Sequence, residues 1–451
     1  MNIVIIGLGT IGRTILKSLA DDNHTITIID DNNDKIQSLI EKYDVYGVVG
    51  NGACMAIQQE AHVKDADLVI ALTKSDEVNI LACLTAKKVG AKNTIARVRN
   101  PEYRQQVIGM REELGLSMII NPEKELAQEV FNLINLSAVA QVEHFAKGKA
   151  LLVEVEVDAG CSLIGESLIT LSKKLTTRVL ICAVQRGAQI IIPSGSFVIQ
   201  EGDRINFTSD ANSLSRFLSE AKLIKSPLKN IMIVGNGMSA YYLADELSRK
   251  KFNTKLIVGD KDTAEKMAEN LSKATVVHGN GTQHDILIEE GIEAMDAFVA
   301  LTNIDEENMI VSMFSNRMKV KKTITQIKNE DLYHMLDTLG IKNTVSPKEV
   351  VADRVISYIR ALDNSRGSNV LTLYRLVNNE VEALEFAAKT EEKFYNTPLK
   401  QLKLKKNCLI ACINRKNDVI IPDGNSVILQ GDNVIVVTTH KNFNDLSDIF
   451  Q

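Results

Sequence analysis

The sequence predicts an α/β chain built by duplication, each copy a parallel-sheet domain with helices on both faces followed by a smaller α+β module. Three observations carry this expectation. Blocks of the first half recur in the second at a nearly constant offset, short apolar runs alternate with amphipathic stretches early in each copy, and glycine-rich turns sit where such a run gives way to a helix. IVIIGLGTIGRTILKSLA (3–20) matches IMIVGNGMSAYYLADELS (231–248) at an offset of 228, and QRGAQIIIPSGSFVIQEGD (185–203) matches NRKNDVIIPDGNSVILQGD (414–432) at 229. Between these blocks, Gly50-Asn51-Gly52 pairs with Gly279-Asn280-Gly281 and Ala71-Leu72-Thr73 with Ala300-Leu301-Thr302. Asp76-Glu77 and Asn79 recur as Asp305-Glu306 and Asn308. Leu114-Gly115-Leu116 matches Leu339-Gly340-Ile341 at 225, so one loop has changed length. Self-similarity over such patterned blocks marks a duplicated structural unit.

The elements follow in order. Residues 2–6 are a continuous apolar run, the mark of a short buried strand, and Gly7-x-Gly9 then opens a stretch with Ile15, Leu16 and Leu19 on one helical face. Thr25–Ile29 reads as a second strand that ends at Asp30. Val45–Val49 reads as a third, leading into Gly50-Asn51-Gly52. Leu68–Leu72 is the fourth, followed by a helix bearing Val78, Leu81, Ala82 and Thr85, and Thr94–Val98 is the fifth. Short buried strands alternating with helices give a parallel sheet covered on both faces. From about residue 150 the pattern turns to strands, Leu152–Val157, Val179–Val184, Gln189–Ile192 and Arg204–Thr208, with a turn at Arg186-Gly187. Junctions are expected near Lys147-Gly148-Lys149, Ser226-Pro227 and Ser365-Arg366-Gly367-Ser368. The domains are then 1–147 and 227–366 for the parallel-sheet parts, and 148–226 and 367–451 for the α+β parts.

Composition narrows the class. A net charge of −5 over 451 residues argues against a nucleic-acid backbone as a general partner, and the absence of Trp with an aromatic content of only 5% disfavours a base-stacking surface. No apolar stretch approaches the roughly 18 residues of a membrane helix. The start, Met1-Asn2-Ile3-Val4-Ile5-Ile6-Gly7, has no basic segment of the kind that opens a signal peptide. The six cysteines, Cys54, Cys83, Cys161, Cys182, Cys408 and Cys412, contain no CxxC and are expected as reduced core thiols of a cytoplasmic protein.

The glycines carry the chemistry. In Gly7-Leu8-Gly9-Thr10-Ile11-Gly12 the first glycine permits the tight turn, the second lets backbone approach a pyrophosphate, and the third permits close helix–strand packing. The helix behind them offers free N–H groups and a positive dipole end. Asp30, at the end of the second strand, stands where an acid accepts hydrogen bonds from ribose hydroxyls, and it favours NAD over NADP. Leu72 and Thr73 end strand four against the same crevice. Arg97 and Arg99 alternate at the end of strand five and so share one face, within reach of phosphates. Arg13 opens the first helix and is a further phosphate candidate. Asp76 and Glu77 open the helix after strand four, where acids are expected as partners of its dipole. The second copy departs: Gly235-Asn236-Gly237 leads to Ala240 as third small residue, Val258 replaces the acid, and Gln326 and Lys328 replace the arginines. Asp260 lies two residues on, behind Gly259, where the chain is expected to have left the strand, so no side chain at the position of Asp30 is expected to meet a ribose in that copy.

Catalytic signatures are not found. There is no histidine between 151 and 226 to serve as a substrate-domain base, and His144, His278, His284, His334 and His440 lack metal-ligand spacing. No Gly-x-Ser-x-Gly elbow or P-loop Gly-Lys-Ser/Thr occurs. The crevice is expected to hold a nucleotide without reacting with it. A soluble NAD-dependent oxidoreductase and a nucleotide-responsive regulator of a partner protein are both open to such a crevice.

On Gly7-x-Gly9-x-x-Gly12, Asp30, Gly50-Asn51, Ala71-Leu72-Thr73, Asp76-Glu77-x-Asn79 and Arg97, with Ile192-Pro193-x-Gly195 and Gly202-Asp203 repeated as Ile421-Pro422-x-Gly424 and Gly431-Asp432, the chain resembles the TrkA family. These are cytoplasmic regulatory subunits of bacterial Trk potassium-uptake systems. The resemblance covers essentially the whole chain. It implies two tandem "regulator of potassium conductance" (RCK) units, each a Rossmann-like N-domain plus a C-domain. It also implies NAD(H) at the first site, ATP or ADP at either site, and a homo-tetrameric ring under a TrkH-type membrane pore on the inner face of the membrane. The family's usual Gly-Asp after strand three is Gly50-Asn51 here and Gly279-Asn280 in the second copy, which removes two charges from the rim. The helix carrying Val78, Leu81 and Leu84 is a candidate for subunit contact, its alternative being a core-facing stripe.

Overall fold

Each glycine-rich turn joins a strand of a six-stranded parallel sheet to a helix in the computed structural model, which describes the chain except residues 21–23, 136–138, 146–148, 188, 211–212, 224–227, 337, 365–369, 377–379, 389–391, 393, 417, 441–442 and 444. The first parallel domain runs β1 Asn2–Ile6, α1 Thr10–Leu19, β2 Thr25–Asp30, α2 Asn33–Ile40, β3 Tyr46–Val49, α3 Met55–Glu60, β4 Leu68–Ala71, α4 Asp76–Val89, β5 Asn93–Arg97, α5 Pro101–Gly109, β6 Met118–Ile120 and α6 Pro122–Asn135. Its strand order is β3-β2-β1-β4-β5-β6. The order reverses at β1 and β4, and ligands of such sheets bind in the crevice at the strand carboxyl ends there. The five expected strands are present. The sixth, β6, is three residues long, too short for periodicity to reveal.

The module that follows contains β7 Val139–Phe145, β8 Ala150–Glu156, α7 Leu168–Lys174, β9 Leu180–Arg186, β10 Gln189–Ile191, β11 Arg204–Asp210 and α8 Leu214–Glu220. These strands form one antiparallel sheet, β10-β9-β11-β8-β7. The Gly202-Asp203 motif acquires a structural reason here. Asp203, fully buried, receives Nε and Nη2 of Arg186, both at 2.8 Å, and the Gln200 N–H at 2.9 Å. Burial pushes its carboxyl up, but the Arg186 hydrogen bonds, the Gln200 N–H and the Arg186 charge hold it below the usual carboxylate range.

The second copy repeats both parts. Its parallel domain has β12 Asn230–Val234, α9 Met238–Arg249, β13 Asn253–Val258, α10 Lys261–Asn270, β14 Thr275–His278, α11 His284–Glu289, β15 Ala297–Ala300, α12 Asp305–Arg317, β16 Lys322–Gln326, α13 Tyr333–Leu336, β17 Asn343–Val345 and α14 Pro347–Asn364, in the sheet order β14-β13-β12-β15-β16-β17. Its antiparallel sheet is β18 Val370–Leu376, β19 Val381–Ala387, β20 Cys408–Arg415, β21 Asp418–Ile420 and β22 Asn433–Thr438, ordered β18-β19-β22-β20-β21. Arg415 holds Asp432 as Arg186 holds Asp203, at 2.9 and 2.8 Å.

The chain forms two compact units that cut across the duplication: residues 1–134 with 228–359, and 135–227 with 360–451. In the first unit the two parallel domains share a core. Leu126, Val130, Leu133 and Ile134 of α6 recur at helical spacing and are buried with Ile231, Leu243, Leu247 and Leu256 of the second domain. Phe131 meets Phe252 edge-on at 6.3 Å. Each fully buried side chain of this size contributes about 1.5–3 kcal/mol, so the exchanged helix is a strong tie between the copies. In the second unit the two antiparallel sheets share a core of Leu152, Cys182 and Ala183 with Ala383, Ala411, Cys412 and Ile435, and the Thr208 hydroxyl donates to the Ala411 carbonyl at 2.7 Å.

The two compact units divide the chain at 134/135, 227/228 and 359/360. The first division falls ahead of β7, which pairs along β8 and so belongs with the antiparallel sheet. The linker residues 147–148, 226–227 and 365–368 lie outside the described residues. Among the described residues no helix is long and apolar enough to cross a membrane. Five cysteines are buried, but Cys54 is exposed ahead of α3, a correction to the expectation of six core thiols. Burial pushes the Cys83, Cys182 and Cys412 thiols up to about 12 and Cys408 to about 11.

Candidate functional site

The first crevice is built where β1 and β4 diverge. Gly7 has φ of +93°, and a Cβ there would lie 2.7 Å from the Thr73 nitrogen, so only glycine lets the two strand ends approach. A Cβ on Gly12 would lie 2.2 Å from the Gly7 carbonyl oxygen, which fixes the third glycine by helix–strand packing. Gly9 differs from both. A Cβ there meets nothing within 4 Å, and as N-cap of α1 it provides no side-chain cap. The first-turn amides of α1, including those of Thr10 and Ile11, are therefore left for an anion approaching from the open side.

Asp30 lies at the end of β2, 7% exposed, and its carboxylate holds the turn. Oδ2 accepts the Leu8 N–H at 2.7 Å, and Oδ1 accepts the Asn32 N–H at 3.1 Å and Lys35 Nζ at 3.2 Å. Burial alone would raise its pKa. The two backbone donors, together with the hydrogen bond and charge of Lys35, outweigh burial and leave it below the usual range. Lys35 escaped the sequence reading because only the tertiary turn brings α2 over the β2 end. Gly50 and Asn51 sit beyond β3, where Asn51 Oδ1 accepts the Ala53 N–H at 3.0 Å.

The far wall is a clasp around residues 73–76. Leu72 is buried, and Asn79, fully buried on α4, accepts the Thr73 N–H at 2.7 Å and donates to the Thr73 and Arg97 carbonyls at 3.2 and 3.0 Å. Arg97 Nη2 donates to the Thr73 carbonyl, and Arg99 Nη2 donates to the Lys74 carbonyl at 2.7 Å. Asp76 accepts the N–H groups of Arg99 and Asn100 at 2.8 and 2.7 Å, so it ties the loop after β5 as well as opening α4. Arg97 Nε is buried with no hydrogen-bond partner. Burial, then repulsion by Arg99, lowers the Arg97 pKa, partly offset by Glu123 and Asp76.

The second copy keeps the clasp without the charge. Asn308 binds the Thr302 N–H and the Thr302 and Gln326 carbonyls, Gln326 Nε2 donates to the Thr302 carbonyl at 3.2 Å, and Lys328 Nζ donates to the Asn303 carbonyl at 3.2 Å. The turn itself is locked in reverse. Val258 is buried in the shared core, and Asn236, at the position of Leu8, accepts the Gly259 N–H at 2.9 Å. Asp260 caps α10 by accepting the Thr263 N–H at 2.8 Å: β13 ends at Val258, and the acid belongs to the next helix. Gly235 faces the Leu301 carbonyl, while Gly237, N-cap of α9, is open like Gly9. This turn leads into a cavity of about 940 Å³, lined by Tyr241, Thr263 and Lys266 on one side and by Asn100 and Lys124 of the first domain on the other.

Among the described residues there is no group of three or more His, Cys, Asp or Glu side chains placed to hold a metal; the His144 and His334 side chains lie outside them. The TrkA-N domain matches residues 3–122 and 231–347, and the TrkA-C domain matches 152–222 and 383–451. The chain belongs to the TrkA family. It is 31% identical to the Trk system potassium uptake protein TrkA of Vibrio alginolyticus, over 100% of this chain and 99% of that protein. It is also 31% identical to the TrkA homolog 1 of Methanosarcina mazei, over 100% of both. Among solved structures it resembles the GsuK channel bound to NAD, with a TM-score of 0.64 and 19% identity over 98% of this chain and 77% of that one. The GsuK channel has also been solved bound to ADP. At this identity the likeness carries the fold, two tandem RCK units, and both TrkA domain types occur twice along this chain as the duplication requires.

Proposed function

We propose that this chain is the nucleotide-binding cytoplasmic regulatory subunit of a Trk-type potassium-uptake system, holding NAD(H) or an adenine nucleotide in the first crevice and gating a TrkH-type membrane pore. The observation that carries the reading is the comparison of Arg97 with Gln326. A neutral glutamine makes the same bond to the loop carbonyl, so the clasp does not need a guanidinium. The first copy nevertheless keeps a half-buried one there, its Nε buried and unpartnered, on the same strand-carboxyl rim as the helix N-terminus left open at Gly9. A half-buried, incompletely paired cation on the same rim as free amides suits an anionic ligand such as a pyrophosphate. Gly7, Leu8, Gly9, Thr10, Ile11 and Gly12 would cradle the phosphates. Asp30 would meet the ribose with its remaining acceptor capacity, and Gly50, Asn51, Leu72, Thr73 and Arg97 would line the rim.

Gly235, Asn236 and Gly237 would receive ATP or ADP in the second crevice, without an acid for the ribose. A ligand biases two arrangements of the N-domains only by its differential affinity for them, about 1.4 kcal/mol per tenfold. The proposal assigns the chain no catalytic step.

Assembly into a homo-oligomer, a tetramer on the family resemblance, is supported by α4 and α12. The buried face of α4 is Asn79, Ala82, Cys83 and Ala86, which leaves Leu81 51% exposed, and the equivalent Ile310 on α12 is 54% exposed. The test is calorimetric titration with NADH, NAD, ATP and ADP of the unmodified chain and of Asp30→Ala, together with potassium uptake by cells carrying each form. Saturable binding that the substitution weakens, with altered uptake, is expected. Binding of none of the four nucleotides would overturn the gating scheme.

A further inference from the structure

A second cavity, of about 630 Å³, opens away from both glycine-rich turns, where α14 of the second copy runs beside α5, β6 and α6 of the first. Three arginines line it: Arg104 on α5, Arg111 just after α5, and Arg354 on α14. None of the three forms an ion pair among the described residues. Arg111 is fixed in place, with Nε donating to the Leu116 carbonyl at 3.0 Å and Nη2 to the Ser117 carbonyl. Arg104 Nε is buried without a hydrogen-bond partner. Glu125 is the one acid in the lining, against three guanidinium groups. Three guanidinium groups against one carboxylate leave an excess of positive charge around this cavity, which favours an anion there.

The duplication supplies a control. Arg354 corresponds to Glu129 at the offset of 225, and Arg104 to Tyr333 at 229. The other copy therefore completes the same fold with an acid and a phenol at these positions, and the arginines are not a requirement of the architecture. Ser117, Ser357 and Tyr358 add hydroxyls to the lining, and Ile108, Met118 and Ile119 give it an apolar wall.

We propose that this arginine-lined cavity is a binding site for a small molecule bearing two phosphate groups, held between the two copies and separate from the nucleotide crevices. Planar guanidinium forks match phosphate oxygens bidentately. Because Arg354 comes from one copy and Arg104 and Arg111 from the other, the bound anion braces the two N-domains against each other. It would thereby favour the arrangement in which the three arginines converge.

The test uses the full chain with Gly9→Val and Gly237→Val, which block both glycine-rich turns at positions where an added Cβ meets no protein atom within 4 Å. Inorganic pyrophosphate and fructose 1,6-bisphosphate are titrated calorimetrically into this background, and the tighter of the two tells an inorganic ligand from an organic one. Arg354→Gln and Arg111→Gln are each expected to weaken binding by about tenfold or more, the scale of one lost hydrogen bond to a charged group. Arg354→Lys, which keeps the charge and loses the fork, should fall between. Circular dichroism confirms that each variant is folded. Absence of saturable binding of either probe in the Gly9→Val, Gly237→Val chain overturns the proposal, as does binding that none of the arginine substitutions changes.

Discussion

Replacing Asp30 by alanine removes one carboxylate with two tasks, and the structure separates their sizes. The Leu8 N–H, buried and 2.7 Å from Oδ2, loses its acceptor, a cost of about 1–3 kcal/mol. The Asn32 N–H can turn to water, and Lys35, 41% exposed, contributes only about 0–1 kcal/mol as a partly solvated pair. The glycine-rich turn should therefore open more easily by about 1–4 kcal/mol. A chain of several domains does not unfold in two states, so the assay is hydrogen exchange of the segment 2–12 rather than a melting curve.

Ribose hydroxyls donating to a carboxylate are worth about 1.5–3 kcal/mol, so NADH affinity should fall by about tenfold to a hundredfold in a titration of the same variant. Asp260→Ala is the control, since that acid caps α10, and it should leave NADH affinity unchanged. The pH dependence has a definite sign. The folded pKa of Asp30 lies below its unfolded value of about 3.9, so its contribution is complete above that pH and is lost as pH falls through the folded value. Protection of segment 2–12 should hold from neutrality to about pH 5 and fall below about pH 4, and Asp30→Ala should lack this acid limb. An unchanged NADH affinity in Asp30→Ala, or an equal loss in Asp260→Ala, would refute the reasoning.

Four further outcomes are expected. Arg97→Gln recreates the second copy's clasp, so stability should change by less than about 1 kcal/mol while nucleotide affinity in calorimetry drops about tenfold. Asp203→Ala leaves Arg186 without its buried partner and should destabilise the first antiparallel module by about 3 kcal/mol in hydrogen exchange; removing the exposed Lys174–Glu166 pair should cost no more than about 1 kcal/mol. Leu81→Asp combined with Ile310→Asp should lower the mass seen by light scattering without loss of helical dichroism, and an unchanged mass would remove α4 and α12 from the subunit contact. A thiol reagent at pH 8 should modify Cys54 quickly in the native chain, with the other five cysteines reacting only on unfolding, as peptide mass mapping would show.

The sequence by itself determined what depends on near neighbours along the chain. The duplication, the strand–turn–helix order and the roles of Gly7 and Gly12 are written in spacing, because strand and helix periods and the sterics of a tight turn are local. The loss of the ribose acid in the second copy could be read at Val258 for the same reason. Tertiary structure decided the rest. The apolar stripe of α6 shows that a helix must bury a face but not against which sheet, and the structure gives it to the second copy. The stripe through Val78, Leu81 and Leu84 was equally open, and α4 instead buries Asn79, Ala82, Cys83 and Ala86. Arg97 and Arg99 turn part of their donors to the 73–76 loop, and Asn236 reaches across to Gly259 in place of an acid reaching back to Leu8. Arg104, Arg111 and Arg354 meet around one cavity only because copies far apart in sequence fold as one unit. Each of these is a choice among long-range partners, set by which pairing excludes the most apolar surface from water and satisfies the most buried donors, and neither quantity exists until the chain has folded.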